Sequence, residues 1–256
     1  MELVFTIFCY STVFLFGIVI GSFLNVCIFR IPEGEDISRP RSHCMTCGYV
    51  LKWYDLVPLF SYLFLKGRCR KCGTKLSVQY PLVEALNGIF YVVVFLANGF
   101  NVTSGLYCIV TSALIVITVI DWRTFEIPRS LNIFLFVIAI VNMIFDIGHW
   151  KSYVIGFFVI SAFLWILYQV SDGRAIGGGD VKLMAAAGLL LGWQKVIVAF
   201  LLGCILGSVL HLARMKLTGA GKQLAMGPYL SAGIFLSMLW GEAMIHWYLR
   251  LCGVTI

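Results

Sequence analysis

The chain is patterned as long apolar runs separated by short polar stretches. The runs fall at roughly 3–29, 81–98, 103–120, 130–146, 151–169, 180–191, 195–214 and 227–250. Most of them reach 17 residues or more, enough for a helix to cross a hydrocarbon core about 30 Å thick. The run at 180–191 is too short to span alone and is expected as a broken or tilted half-helix. One sizeable polar segment, residues 30–80, interrupts the pattern. The expected fold is therefore an all-α polytopic membrane protein with about eight transmembrane helices. Its parts are a first helix at 1–29, a small cytoplasmic insertion at 30–80 and a seven-helix membrane domain at 81–256.

Composition agrees. Hydrophobic residues make up 61% of the chain and charged residues 12%, where a soluble domain carries about 25% charged. That excess of apolar surface calls for lipid. The net charge of +7 would suggest a nucleic-acid partner in a soluble protein. Here it reports topology, because Lys and Arg collect in cytoplasmic loops. With the N-terminus outside, 16 of the 19 basic residues fall in inside loops and 3 fall outside. That asymmetry supports an external N-terminus, and no nucleic acid is expected as a partner. The first run has no basic segment before it and is too long for a signal-peptide core, so it is expected to stay as an anchor.

Four of the nine cysteines form two C-x-x-C-G turns, Cys44-Met-Thr-Cys47-Gly48 and Cys69-Arg-Lys-Cys72-Gly73. Such turns present four thiolates to one tetrahedral ion. The cytoplasm is reducing, which favours metal over disulfides or free thiols. Cys44, Cys47, Cys69 and Cys72 are thus expected to hold a structural Zn2+, and His43 is a spare donor that four thiolates do not need. A 51-residue insertion is too small to build a large core and needs such a staple. The remaining five cysteines sit singly in or beside apolar runs.

Two carboxylates lie at the expected cytoplasmic edge of the bilayer. Asp121 ends the third run and Asp180 opens the sixth, after Gly177, Gly178 and Gly179. Carboxylates at that depth are costly and are usually paired or functional. Two close carboxylates sharing one proton can hydrolyse a peptide bond, one as base toward water and the other as acid toward the carbonyl. Glycines beside Asp180 would let a substrate backbone approach. The plainer alternative keeps Asp180 as a helix-start carboxylate and Asp121 as an interfacial anion near Arg123.

Gly177-Gly-Gly-Asp180 fits the G-x-G-D signature of intramembrane aspartic proteases, and Asp180-Val-Lys-Leu-Met continues it. Four further stretches agree: residues 21–30, residues 58–69, Tyr80-Pro-Leu-Val-Glu84-Ala-Leu-Asn-Gly88, and Met226-Gly-Pro-Tyr-Leu230. Taken together and in this order, the chain resembles the prepilin peptidases, or type IV leader peptidases. Two departures are Gly178, where Met is frequent in the family, and the missing Pro-Phe pair before Gly227-Pro228. The resemblance implies cleavage of the basic leader from type IV prepilins or pseudopilins at the cytoplasmic face of the inner membrane. It implies Asp121 and Asp180 as catalytic residues and 81–256 as the protease domain. It also implies N-methylation of the new N-terminus with S-adenosylmethionine, the alternative being a leader peptidase without methyl transfer. No glycine-rich dinucleotide-type loop is present for that cofactor.

Glu84 is read two ways, as a first-turn carboxylate or as a group near methyl transfer. Lys182 is read as a snorkelling interface residue, with charge balance of the site as its other role. Glu242 and His246, four apart, are expected to pair on the outer side. Two rival classes remain. A zinc-dependent docking scaffold would need the cysteines and neither aspartate. An ion-coupled transporter would need acids near the midplane and an inverted repeat, and neither is seen.

Overall fold

The computed structural model describes residues 2–39, 41–218 and 224–253; Lys222 and Gln223, in the last expected inside loop, lie outside them. The described chain is helical apart from loops and two isolated β-bridges. In order come α1 (Glu2–Glu33), a short α2 (Phe60–Phe64), α3 (Gln79–Asn98), α4 (Val102–Thr124), α5 (Arg129–Phe145), α6 (Trp150–Val170), α7 (Gly178–Leu191), α8 (Trp193–Thr218) and α9 (Gly227–Leu251). Each apolar run has become one helix. Five of these, α1, α3, α4, α6 and α8, lie in helical segments long and apolar enough to cross a membrane by length and composition. α5 is apolar but shorter. At 14 residues α7 reaches about 21 Å, too short to span alone, as expected. Leu3, Phe5, Phe8 and Phe16 on α1 are exposed, as are Phe158 and Trp165 on α6. Large apolar side chains bared in such numbers suit a lipid solvent.

The chain divides into two compact units, residues 1–100 and 101–256. In the first, α1 and α3 pack on each other through small residues. Gly17 meets the backbone of Gly88, and Gly21 meets that of Glu84, so closely that a methyl group at either position would collide. Asn87, fully buried, donates to the Gly17 carbonyl at 2.7 Å. Asn25 donates to the Tyr80 carbonyl at 3.2 Å. Small residues with a few polar bridges are how helices bind where the hydrophobic effect offers no preference for helix over lipid.

In the second unit α4 is buried along most of its length. α7 crosses α6 where Gly188 meets Gly156 backbone to backbone. It ends at Gly192, whose φ of +81° turns the chain straight into α8. α8 and α9 run antiparallel, with Gly233 against Ala199 and Gly203 against Leu230. The far ends of the helices are tied by polar contacts. Lys195 pairs with Glu242 at 2.6 Å, and Asp146 accepts from the Tyr153 hydroxyl at 2.6 Å. Glu242 thus takes Lys195 of α8 as its ion-pair partner, across the helix interface.

Candidate active site and metal centre

Asp121 lies in the last turn of α4 and is 4% exposed. The helix closes one turn later, where Phe125 takes a left-handed φ of +56° and donates to the Asp121 carbonyl at 2.9 Å. That cap turns the chain outward into Glu126, Ile127 and Pro128, and Pro128 caps α5. The Asp121 carboxyl is fixed from another element. The Gly227 N–H, at the start of α9, donates to its Oδ2 at 2.8 Å in a buried setting. A helix N-terminus is a natural seat for a carboxylate, since its first N–H groups have no partner within the helix.

Asp180 lies in the first turn of α7, behind the cap residue Gly177. Its backbone N–H bonds the Gly177 carbonyl at 3.1 Å. A Cβ on Gly177 would stand 3.1 Å from Oδ2 of Asp180. The first glycine of the signature therefore clears room for the carboxyl itself. Gly179 plays a different part. Its α-carbon abuts Ile127, and its carbonyl accepts from Asn132 of α5 at 3.4 Å. The bare position at 179 serves packing of α7 on the α4–α5 turn, where open approach for substrate was the sequence expectation. Gly178 faces the Tyr168 ring.

The two carboxyls are near enough that the charge on Asp121 acts on Asp180. They are brought together by α5 and α9, each packed on both α4 and α7. Asp121 is buried and Asp180 only half-buried. Lys182 is exposed, as an interface residue would be. Two neighbours were not singled out as site residues in the sequence: Gly227, on Asp121, and Asn132, on the Gly179 carbonyl. Both carried a signal, Gly227 within the stretch Met226-Gly-Pro-Tyr-Leu230 and Asn132 as a polar side chain inside an apolar run.

Gly227 gives a direct test of this geometry. A Cβ there would lie 2.7 Å from Oδ2 of Asp121. If Asp121 is catalytic, as the resemblance implies, Gly227→Ala should leave the helices intact and reduce activity by at least about tenfold. Activity equal to the parent chain's in a folded Gly227→Ala protein would remove Gly227 from the site.

In the first unit, the Sγ atoms of Cys44, Cys47, Cys69 and Cys72 all lie within 4.8 Å of one another. The two turns are built alike. Gly48 N–H bonds the Cys44 carbonyl and Gly73 N–H bonds the Cys69 carbonyl, each at 2.9 Å. Both glycines have a positive φ, +66° and +72°. Backbone N–H groups of Cys47 and Thr46 point at the Cys44 sulfur and hold its thiol pKa below the usual value. Hydroxyl and amide of Thr74 do the same for Cys72, whose thiol pKa sits at about 6. Donors aimed at sulfur favour thiolate at these two positions, the form that binds metal. At Cys47 the Tyr49 N–H acts the same way, but burial and the three thiol neighbours outweigh it and push the thiol up to about 11. The cluster can hold a zinc ion, and with four thiolates the site would be closed to substrate. His43 is exposed and turned to the Arg41 carbonyl.

Asp55 ties the two turns together, accepting from Tyr49 at 3.2 Å and from Arg70 at 2.7 Å. Its burial acts to raise the carboxyl pKa, but the Arg70 guanidinium and the Lys52 N–H outweigh it and leave the group below the ordinary range. A lowered carboxyl stabilises the folded form above its unfolded pKa. The tie is therefore present at neutral pH and is lost as pH falls through the lowered value.

Glu84 is buried on α3 and accepts the Leu59 N–H at 2.8 Å. Leu59 has a φ of +61°, a conformation a branched side chain avoids. The carboxylate pins this bend, a structural duty beyond either role expected for it.

Two family models match the chain: the bacterial peptidase A24 N-terminal domain over residues 15–98, and the type IV leader peptidase family over residues 108–212. A prepilin leader peptidase/N-methyltransferase of Aeromonas salmonicida (strain A449) is 33% identical, with 94% of each chain covered. A protein of that description from Bacillus subtilis (strain 168) is 32% identical over 94% of this chain and 98% of its own. One from Myxococcus xanthus (strain DK1622) is 32% identical over 80% of this chain and 63% of its own. No solved structure gives a significant match.

Proposed function

The chain belongs to the type IV leader peptidase family, and on that premise we propose that Asp121 and Asp180 cut the leader from type IV prepilins or pseudopilins at the cytoplasmic face of the bacterial inner membrane. The activity is removal of the prepilin leader and N-methylation of the new N-terminus. The observation that carries the assignment of the acids is the buried Gly227 N–H on Asp121, with Asp180 within its electrostatic reach.

The charge on Asp121 disfavours ionisation of Asp180, and on this reading the pair shares one proton. The ionised carboxyl takes a proton from water as its oxygen adds to the scissile carbonyl carbon. The protonated carboxyl hydrogen-bonds the carbonyl oxygen, which bears the developing charge. As the C–N bond breaks, a proton passes to the departing amine. The Gly227 N–H keeps the Asp121 carboxyl in place without reorganisation.

Zn2+ at Cys44, Cys47, Cys69 and Cys72 would cross-link residues 30–80 and supply stability, with no part in hydrolysis. S-adenosylmethionine is the proposed methyl donor. Glu84, expected near it, accepts the Leu59 N–H on one oxygen, and its carboxylate has acceptor capacity left for a cationic donor. An external N-terminus puts the cysteine turns and both acids on the cytoplasmic side, in keeping with the basic-residue asymmetry. Membrane lipid is the solvent of the helices, and prepilins are the partners. A peptidase lacking methyl transfer is not favoured, since the relatives carry both activities in their names.

The test is mass spectrometry of a prepilin co-expressed with the chain in a host without its own leader peptidase. Loss of the leader at a single bond, with one added methyl on the new N-terminus, is expected. Unprocessed prepilin beside a folded, membrane-inserted chain would overturn the reading.

A further inference from the structure

Two buried polar side chains, on α8 and α5, have hydrogen-bonding capacity left over. His211, on α8, is 8% exposed, and neither ring nitrogen has a partner among the described residues. Asn132, on α5, is 5% exposed; its amide nitrogen serves the Gly179 carbonyl, and its Oδ1 has no partner among the described residues.

The place of His211 follows from its neighbours on the helix. Gly203 and Gly207 lie against Leu230 and Tyr229 of α9. The Arg214 guanidinium lies 4.6 Å from the ring centre of Trp122, the residue after Asp121. At 100° per residue, positions 203, 207, 211 and 214 share one sector of about 80°. Because α8 and α9 are antiparallel, one turn past Gly207 returns to the first residues of α9, where Gly227 holds Asp121. His211 thus faces the Asp121 side of the site, and Asn132 stands on the Asp180 side, against Gly179.

A buried polar atom left without a partner is costly, and more so beside a bilayer. It is tolerated where a ligand completes it. An extended peptide entering this site loses water from its backbone N–H and C=O groups, and these need new partners. A neutral imidazole offers one donor and one acceptor, and the Asn132 Oδ1 offers an acceptor.

We propose that His211 and Asn132 contact the substrate, hydrogen-bonding the prepilin backbone on either side of the scissile bond. This rests on the aspartate pair being the site of cleavage. The test uses full-length protein in detergent and a purified, fluorescently labelled prepilin. His211→Leu should raise KM about fivefold to tenfold with kcat little changed, the effect of one lost hydrogen bond. His211→Gln, which keeps a donor and an acceptor, should recover most of the loss. In the Asp180→Asn background, adding His211→Leu should weaken prepilin binding by the same factor. The melting temperature should not fall, because an apolar group replaces an unpartnered polar one. Unchanged KM and unchanged binding in a folded His211→Leu protein would make the residue structural and overturn the inference. Cleavage by Asp180→Asn alone would defeat the aspartate reading itself, and the inference with it, before His211 is touched.

Discussion

Asp121→Asn and Asp180→Asn should each lower leader cleavage by at least about a thousandfold while the chain still inserts and folds. Asparagine keeps the shape of the carboxyl but cannot share, take or give the proton, and acid–base steps of this kind supply on the order of a hundredfold to ten-thousandfold. Asp121 is the more sensitive to structural side effects, because its Oδ2 accepts the Gly227 N–H. Its asparagine variant can keep that bond through the amide oxygen, so α9 should stay seated. The pH–rate profile of the parent chain should show apparent pKa values that belong to the pair. Serine- and cysteine-directed inhibitors should leave cleavage unaffected, since no Ser or Cys nucleophile takes part.

Removing the metal staple should have the second largest effect. The protein is expected to carry about one zinc per chain, and Cys44→Ser or Cys69→Ser should lose it. Free energies of zinc binding to small closed sites, about 10–16 kcal/mol, are folding free energies for the segment that holds them. Residues 30–80 have short helical turns and two isolated bridges as their regular structure. The Asp55–Arg70 tie, with Arg70 nearly half exposed, is a weak substitute for metal. Limited proteolysis should therefore cut within 30–80 in the Ser variants and spare the parent chain. Methyl transfer should fall further than leader cleavage in those variants. Protein purified without chelator and found free of zinc, yet equally protease-resistant, would contradict the metal assignment.

Much of this molecule could be read from its sequence, for simple physical reasons. Lipid demands unbroken apolar helices, so the runs marked the helices to within a few residues; the run read at 180–191 is α7, Gly178–Leu191. The C-x-x-C-G turns are local, and their glycines and sulfurs came together as the spacing implied. What stayed hidden depends on contacts between distant elements. The grouping of α3 with α1 rests on Gly17 meeting Gly88, and a glycine does not name its partner. The Gly227 N–H reaches Asp121 across 106 residues of sequence. Gly179 looked like an opening for substrate because it neighbours Asp180, yet the fold places Ile127 there. Glu84 looked like a helix-start carboxylate and proved to hold a strained loop bend.

The central claim is that the two carboxyls act as one proton-sharing unit, and one kinetic comparison bears on it most directly. Leader release from a purified prepilin should be timed for the parent chain, Asp121→Asn, Asp180→Asn and the double variant, under single-turnover conditions. Groups that act as a unit lose nearly everything with the first member removed. The account predicts that both single variants and the double variant fall to a common residual rate. Near-parent cleavage by either single variant, or losses that multiply in the double, would contradict it.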